Sequence, residues 1–257
     1  MIAFISPAKT MSEVILADKD IRFIATDPRF EKETLGIVRQ MVAYSIDELE
    51  KIYKVSFSIA SQLRSRFINF YDEPEAKNIA IRAYDGVVYK HIQTDRLDLE
   101  DLKYLQEHLR ICSLMYGLLR PCDLIKPYRM EPFVRLEDQD DIRIDRYWRD
   151  IHTDLFIEDI NKAGGVLLYL SSKEEQNVFD WKKVKSQTKV VNFDFMQYKG
   201  DKLRTVTIYA KMARGEMVRY MIDNKVEDHN ELKNFKWEGF TFSEAHSDEN
   251  KFVFIQE

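Results

Sequence analysis

The sequence predicts an α+β fold: a single domain over residues 1–257, with a mixed β-sheet, surrounding helices and a helix-hairpin-helix element. Three observations predict it. Short apolar or β-branched runs at 2–6, 79–83, 166–170, 190–193, 203–209 and 251–255 read as strands. Helical stretches separate them at irregular intervals, without the regular alternation of a Rossmann fold or a barrel. Glycine and proline number only 8 and 6 in 257 residues, so no flexible linker marks a domain boundary.

The first strand runs into Ser6, Pro7, Ala8, Lys9 and Thr10, a loop position where α/β proteins often meet ligands. Without glycines it is not a P-loop. Lys9 there could hold an anion, act as an amine nucleophile if desolvated, or be an ordinary surface lysine.

Ser45 and Glu48 have capping-box spacing and predict a helix start. The following residues 52–63 fit the helix-hairpin-helix pattern through Ile52, Val55, Ile59, Ala60 and Leu63. In that pattern the tight turn offers backbone N–H groups to a DNA phosphate without reading sequence. Lys54 and Ser56 occupy the two glycine positions, Ser58 the usual lysine position, and Arg64 and Arg66 follow. A plain αα-hairpin accounts for the same residues.

Asp85-Gly86 predicts a turn that carries Tyr89 and Lys90 onto a following element. A helix beginning near Asp98 carries Leu99, Leu102, Leu105, Leu109, Cys112 and Tyr116 at three- and four-residue spacing, with Arg120-Pro121 as its stop. The proline-stiffened loop beyond displays Arg120, Tyr128 and Arg129. Arginine offers forked donors to phosphate and Tyr128 a ring to stack on a base. A loop tied down by pairs such as Arg129 with Glu131 is the alternative. After the strand at 166–170, Ser171 and Ser172 stand where they can cap a helix.

The run 203–209 reads as a strand, which places a helix start near Ala210. Lys211, Arg214, Val218 and Ile222 then share one helical stripe, so two cations lie in line with two aliphatic residues. Positive charge in the first turns opposes the helix dipole, and an anion held there would resolve the conflict. A buried ion pair would do so as well. Gly215 costs about 1 kcal/mol against alanine inside a helix, and a close approach of backbone or ligand would explain it.

Composition narrows the classes. A hydrophobic content of 45% with 12% aromatic residues fits a globular domain. No window approaches eighteen apolar residues and the start lacks a signal-peptide pattern, so no membrane span is expected. Cys112 and Cys122, ten apart, make neither a redox pair nor a cysteine zinc site, and a reducing cytoplasm fits. The five histidines form no His-x-x-x-His pair, and the acidic run at 138–141 lacks an EF-hand's glycine, so no metal or cofactor is expected. Net charge is −5, but residues 202–219 hold five cations against one acid and residues 110–135 five against two. If those segments meet, an acidic protein carries a basic cleft.

Taken in order, ISPAKT at 5–10, YDGVVY at 84–89, LMYGLLRP at 114–121, PYRME at 127–131, YAKMARG at 209–215 and EGF at 238–240 resemble the YaaA family of bacterial peroxide-stress proteins. The resemblance spans essentially the whole chain. It departs at Tyr84, where phenylalanine is commoner, at Val87, where aspartate is usual, and at Cys122, where leucine is usual.

The resemblance implies a cytoplasmic α+β protein that protects against hydrogen peroxide, limits damage linked to free iron, and binds DNA through a helix-hairpin-helix and a basic cleft. It extends over residues 49–70, where the hairpin lies. It nominates Ser6, Lys9, Arg120, Tyr128, Arg129, Lys211 and Arg214 as cleft residues beside the hairpin's Lys54, Val55, Ser56, Ser58, Arg64 and Arg66. DNA, duplex or locally unpaired, is the expected partner and a monomer the expected form. No catalytic assignment comes with the resemblance. The alternatives are a lysine-dependent enzyme acting on nucleic acid or a nucleotide, with Lys9 or Lys211 as the amine, and an iron-sequestering protein.

Overall fold

Ile2–Ile5 is buried on both faces and forms β1, the strand around which the sheet is laid. The computed structural model describes residues 1–12, 19–71 and 77–256. On one side β1 pairs in parallel with β2, Leu109–Ser113, which pairs antiparallel with β3, Gly117–Leu119. On the other side it pairs in parallel with β4, Val166–Tyr169, and β4 in turn with β5, Lys189–Lys199. The short strand β6, Lys202–Arg204, folds back antiparallel on the end of β5. Beyond β5 lie β7, Phe240–Phe242, at the edge and β8, Lys251–Gln256, parallel to β5. Five adjacent strands are thus parallel, with antiparallel strands at the margins, and the mixed sheet of an α+β protein is what the chain forms.

The chain leaves β1 for β2 on one side and returns to β4 on the other. The order therefore reverses at β1. In open parallel sheets such a reversal leaves a crevice at the carboxyl ends of the strands.

Helices cover this sheet. The long helix Ile144–Lys162 packs through Phe156 on Phe4, with ring centroids 5.2 Å apart. From the same helix Asp159 accepts from Arg110 on β2 at 2.6 Å and from Arg29 at 2.7 Å. Burial alone would raise the Asp159 carboxyl. Hydrogen bonds from the two arginines outweigh it and hold the group below the usual carboxylate range.

The capping box at Ser45 is present in both directions and starts α1, Ile46–Tyr53. Residues 54–56 then turn the chain into α2, Phe57–Ile68. Gly86 starts α3, Val87–Ile92, after the turn at Asp85. Asp98 caps α4, Leu99–His108. The helix Thr207–Asn224, α5, packs on α3 and contributes Ala213, Met217, Val218 and Ile222 to the core at 0% exposure.

Three element assignments are corrected. The helix from Asp98 ends at His108 and never reaches Tyr116, because 109–113 is β2. Residues 203–209 split, with β6 ending at Arg204 and Thr207, Ile208 and Tyr209 already helical. Residues 79–83 supply only a two-residue pairing, Asn78–Ile79 with Leu124–Ile125, before a single helical turn, Ala80–Ala83.

Candidate functional site

A cavity of about 480 Å³ lies at the carboxyl ends of the parallel strands, where the strand order reverses. Ser6, Pro7, Ala8, Lys9 and Thr10 enter it from the end of β1, Cys112 and Leu114 from β2, and Leu170, Ser172, Glu174, Glu175 and Val178 from β4. The first turn of α3 closes one wall with Val87, Val88 and Tyr89, the segment 128–132 another, and α5 adds Lys211 and Arg214.

Backbone order comes from a few hydrogen bonds. Ser6 Oγ lies 2.8 Å from Ser171 Oγ and accepts from the Ser172 N–H at 3.1 Å, stitching the ends of β1 and β4 together. Tyr89 donates to the Ser6 carbonyl at 2.9 Å. Ser172 caps the 3₁₀ turn Lys173–Val178 by accepting from the Glu174 N–H, and its own hydroxyl donates to Glu175.

The cations divide into two groups. Lys9 and Arg129 both donate to Glu131, each with a contact of 2.8 Å, and that carboxylate is only 3% exposed. The Arg129–Glu131 pairing is the tied-down loop, and it claims Lys9 too. Lys211 is exposed and Arg214 half-buried, and among the described residues neither side chain forms an ion pair or donates a hydrogen bond. Arg214 Nε is fully buried with no acceptor. Burial lowers that guanidinium's hold on its proton, offset in part by the nearby carboxylates of Glu175 and Asp194. The buried ion pair considered for this stripe is not what the structure contains.

Two corrections concern charge. The helix starts at Thr207, so Lys211 and Arg214 lie beyond its first turn, where the dipole's influence has faded. The lining residues as a whole carry four cations (Lys9, Arg129, Lys211, Arg214) and four carboxylates (Glu131, Asp145, Glu174, Glu175). The cavity is therefore charge-balanced overall, and among the described residues its cations without an ion pair are the two on α5. Asp145 is itself paired with Arg143 at 2.7 Å.

Two of the nominated residues do other work. Arg120 is absent from the cavity lining; it pairs with Asp123 at 2.8 Å and donates to the Asp27 carbonyl. Tyr128 lines the cavity but is 5% exposed, with its hydroxyl 2.7 Å from both Tyr84 and Ser113 hydroxyls. It braces the wall, and its ring is not open to stacking on a base.

Lys54, Val55, Ser56, Ser58, Arg64 and Arg66 lie on the helical hairpin, outside the cavity. Lys54 takes a left-handed conformation, φ 53° and ψ 49°, at the first glycine position. Ser56 makes no side-chain cap to α2, and Ser56, Phe57 and Ser58 are exposed. Arg64 donates to the Tyr44 carbonyl at 3.2 Å. Hairpin and cavity share a segment: Tyr53 donates to Met130 Sδ at 3.3 Å, and Lys54 Nζ lies 5.4 Å from the Phe133 ring centre.

Sequence reasoning missed Glu175, Asp145, Cys112 and Leu114. The last two were hidden when β2 was read as helix. Among the described residues no group of three histidine, cysteine, aspartate or glutamate side chains is placed to hold a metal ion.

Fold and cavity together define a class: a protein built on one large mixed sheet, with a ligand-sized, charge-lined cavity at the carboxyl ends of its parallel strands and a helical hairpin beside it. The chain belongs to the YaaA family, whose model, described as peroxide stress protein YaaA, matches residues 1–246. It is 44% identical over 254 residues to a UPF0246 protein of Bacteroides fragilis, covering 99% of this chain and 98% of that one. A UPF0246 protein of Bacteroides thetaiotaomicron is likewise 44% identical, over 255 residues and the same shares. One from Rickettsia rickettsii is 37% identical over the full length of both chains. No helix among the described residues is long and apolar enough to cross a membrane.

Proposed function

We propose that this member of the peroxide-stress family is a cytoplasmic, monomeric protein that binds DNA largely independently of sequence and thereby limits iron-linked oxidative damage. The carrying observation is the pair Lys211 and Arg214, two cations at one side of the cavity that form no ion pair among the described residues. A polyanion would supply the missing charge. The uncapped start of α2 offers backbone N–H groups to a second phosphate, and the 129–133 segment joins the two sites.

The cysteines favour shielding over direct peroxide reduction. Cys112 is buried, and burial, then Glu175, pushes its thiol well above the ordinary range. Burial, with Asp123 adding, pushes Cys122 up to about 12. Thiolate is the reactive species, and neither side chain offers it at neutral pH.

The test is fluorescence anisotropy of labelled duplex DNA at two salt concentrations, with Lys211→Ala and a bulky replacement at Ser56. Binding should weaken steeply with salt, and Lys211→Ala should lower the salt slope by about one. A folded wild-type chain that binds no DNA would overturn the proposal.

A lysine-dependent enzyme is the second reading, and the structure bears on which lysine. Lys9 is held by Glu131, whereas Lys211, at the cavity, has no ion pair among the described residues. A borohydride-trapped DNA adduct lost in Lys211→Ala is the outcome that would establish it.

A further inference from the structure

We infer that the cavity is a site for one nucleotide unit, its phosphate at Lys211 and Arg214 and its base among the apolar lining residues. This deepens the DNA-binding reading, from which it takes only the placement of a strand beside the cavity.

Size and position come first. About 480 Å³ falls within the ~300–1,000 Å³ of small-molecule sites, and admits one nucleotide but not a stacked duplex. The crevice at a strand-order reversal is where open parallel sheets take ligands.

The phosphate end follows from α5. The half-buried guanidinium feels the charges of Glu175 and Asp194, but among the described residues its Nε has no acceptor, and its terminal nitrogens remain for a ligand. Lys211, three residues earlier, stands on the same face of the helix. One phosphate can take charge-assisted hydrogen bonds from both.

For the base the cavity offers apolar lining from Pro7, Val88, Leu114, Leu170 and Val178. Glu175 is the first of the carboxylates whose charge acts on Arg214, so it borders the phosphate end. One of its oxygens accepts from Ser172, which leaves the other to accept from an exocyclic amine or a sugar hydroxyl. The same carboxylate repels phosphate. Phosphate at α5 and base or sugar at Glu175 is the arrangement that satisfies both groups.

Such a unit has two sources, a free nucleoside monophosphate or an unpaired residue of a bound strand turned out of its stack. The full-length chain would be titrated calorimetrically with deoxyadenosine 5′-monophosphate, deoxyadenosine and inorganic phosphate. The same titrations would use Lys211→Ala, Leu114→Phe and, as a hairpin variant, Ser58→Asp. The monophosphate should bind at least about tenfold tighter than either fragment, and Lys211→Ala should weaken it about tenfold with the thermal midpoint unchanged. Leu114→Phe should weaken the monophosphate and leave inorganic phosphate alone. Ser58→Asp should leave both unchanged.

A second arm places 2-aminopurine at a mismatch in duplex DNA. A fluorescence change with wild type that disappears in Lys211→Ala assigns the strand as the source. Monophosphate binding without that change assigns the free nucleotide. Inorganic phosphate binding as tightly as the monophosphate overturns the inference. So does a chain that binds duplex DNA yet neither binds the monophosphate nor alters the 2-aminopurine signal, and that result leaves the DNA reading standing. Monophosphate binding by a chain that binds no DNA has the opposite effect.

Discussion

Gly215 lies so close to Val88 that a Cβ added to it would sit 2.3 Å from the Val88 carbonyl oxygen and 2.6 Å from the His91 Cβ. The helices α5 and α3 therefore cross at backbone contact. Arg214 and Val88 line the cavity from the two sides of this crossing, so the contact sets the distance between two of its walls. Glu216 and His91, 2.8 Å apart, clamp the same crossing.

Gly215→Ala should destabilise the protein by about 1–3 kcal/mol, the range for overpacking a tight interior. The sign is the informative part, because alanine is about 1 kcal/mol better than glycine in an unconstrained helix. Equilibrium urea unfolding measures it. A variant as stable as wild type would mean that the two helices separate without cost.

Glu131→Gln keeps the shape of the residue that Lys9 and Arg129 share while removing its charge. The lining would change from four cations against four carboxylates to four against three. Stability should fall by roughly 1–2 kcal/mol, since weaker hydrogen bonds replace charged ones and Lys9 is solvent-exposed. DNA affinity should rise and depend more steeply on salt. Unchanged affinity in a folded variant would show that this carboxylate does not tune the site.

His152 ties stability to pH. Its Nε2–H donates to the Val178 carbonyl at 2.8 Å, and the ring stacks on Phe179 with centroids 4.6 Å apart. Nδ1 is buried without a partner, so a second proton would bring an unpaired charge into the core. Burial lowers the pKa to about 4. The unfolded chain binds that proton near pH 6.5, so it holds more protons than the native state between the two values. Stability should be fully present above pH 6.5 and fall by on the order of 3 kcal/mol as pH drops to 4. Unfolding free energies across that window, compared with His152→Gln, would check it. A variant with the same slope would assign the dependence elsewhere.

Local chemistry was legible in the sequence wherever it acted over a few residues. The capping box at Ser45 needs only a side chain three positions from its partner, and the helix start read near Asp98 is capped in the same way. The strand Ile2–Ile5 announced itself by unbroken apolar character, and the loop after it by its position. Lys211 and Arg214 were marked by sharing a stripe with Val218 and Ile222, both of which are fully buried.

Residues 109–113 were not legible. All five are buried, so the strand shows no alternation, and Leu109 and Cys112 continue the spacing of the helix before it. Only the vacant edge of β1 makes this segment extended, through pairs such as Phe4 with Arg110. The β-branched residues Thr207 and Ile208 suggested a strand for the same kind of reason. Helix packing against α3 overrode their preference.

By itself, then, the sequence determined which residues carry charge, which segments are apolar and where the helices after Ser45 and Asp98 begin, because those properties depend on near neighbours. Only the tertiary structure decided which charges meet. It paired Lys9 and Arg129 with Glu131, turned Arg120 away to Asp123, and left Lys211 and Arg214 facing a cavity with no ion pair among the described residues. Ion pairing and desolvation depend on distances between residues far apart in the chain, and those distances exist only once β1, β2 and β4 lie side by side.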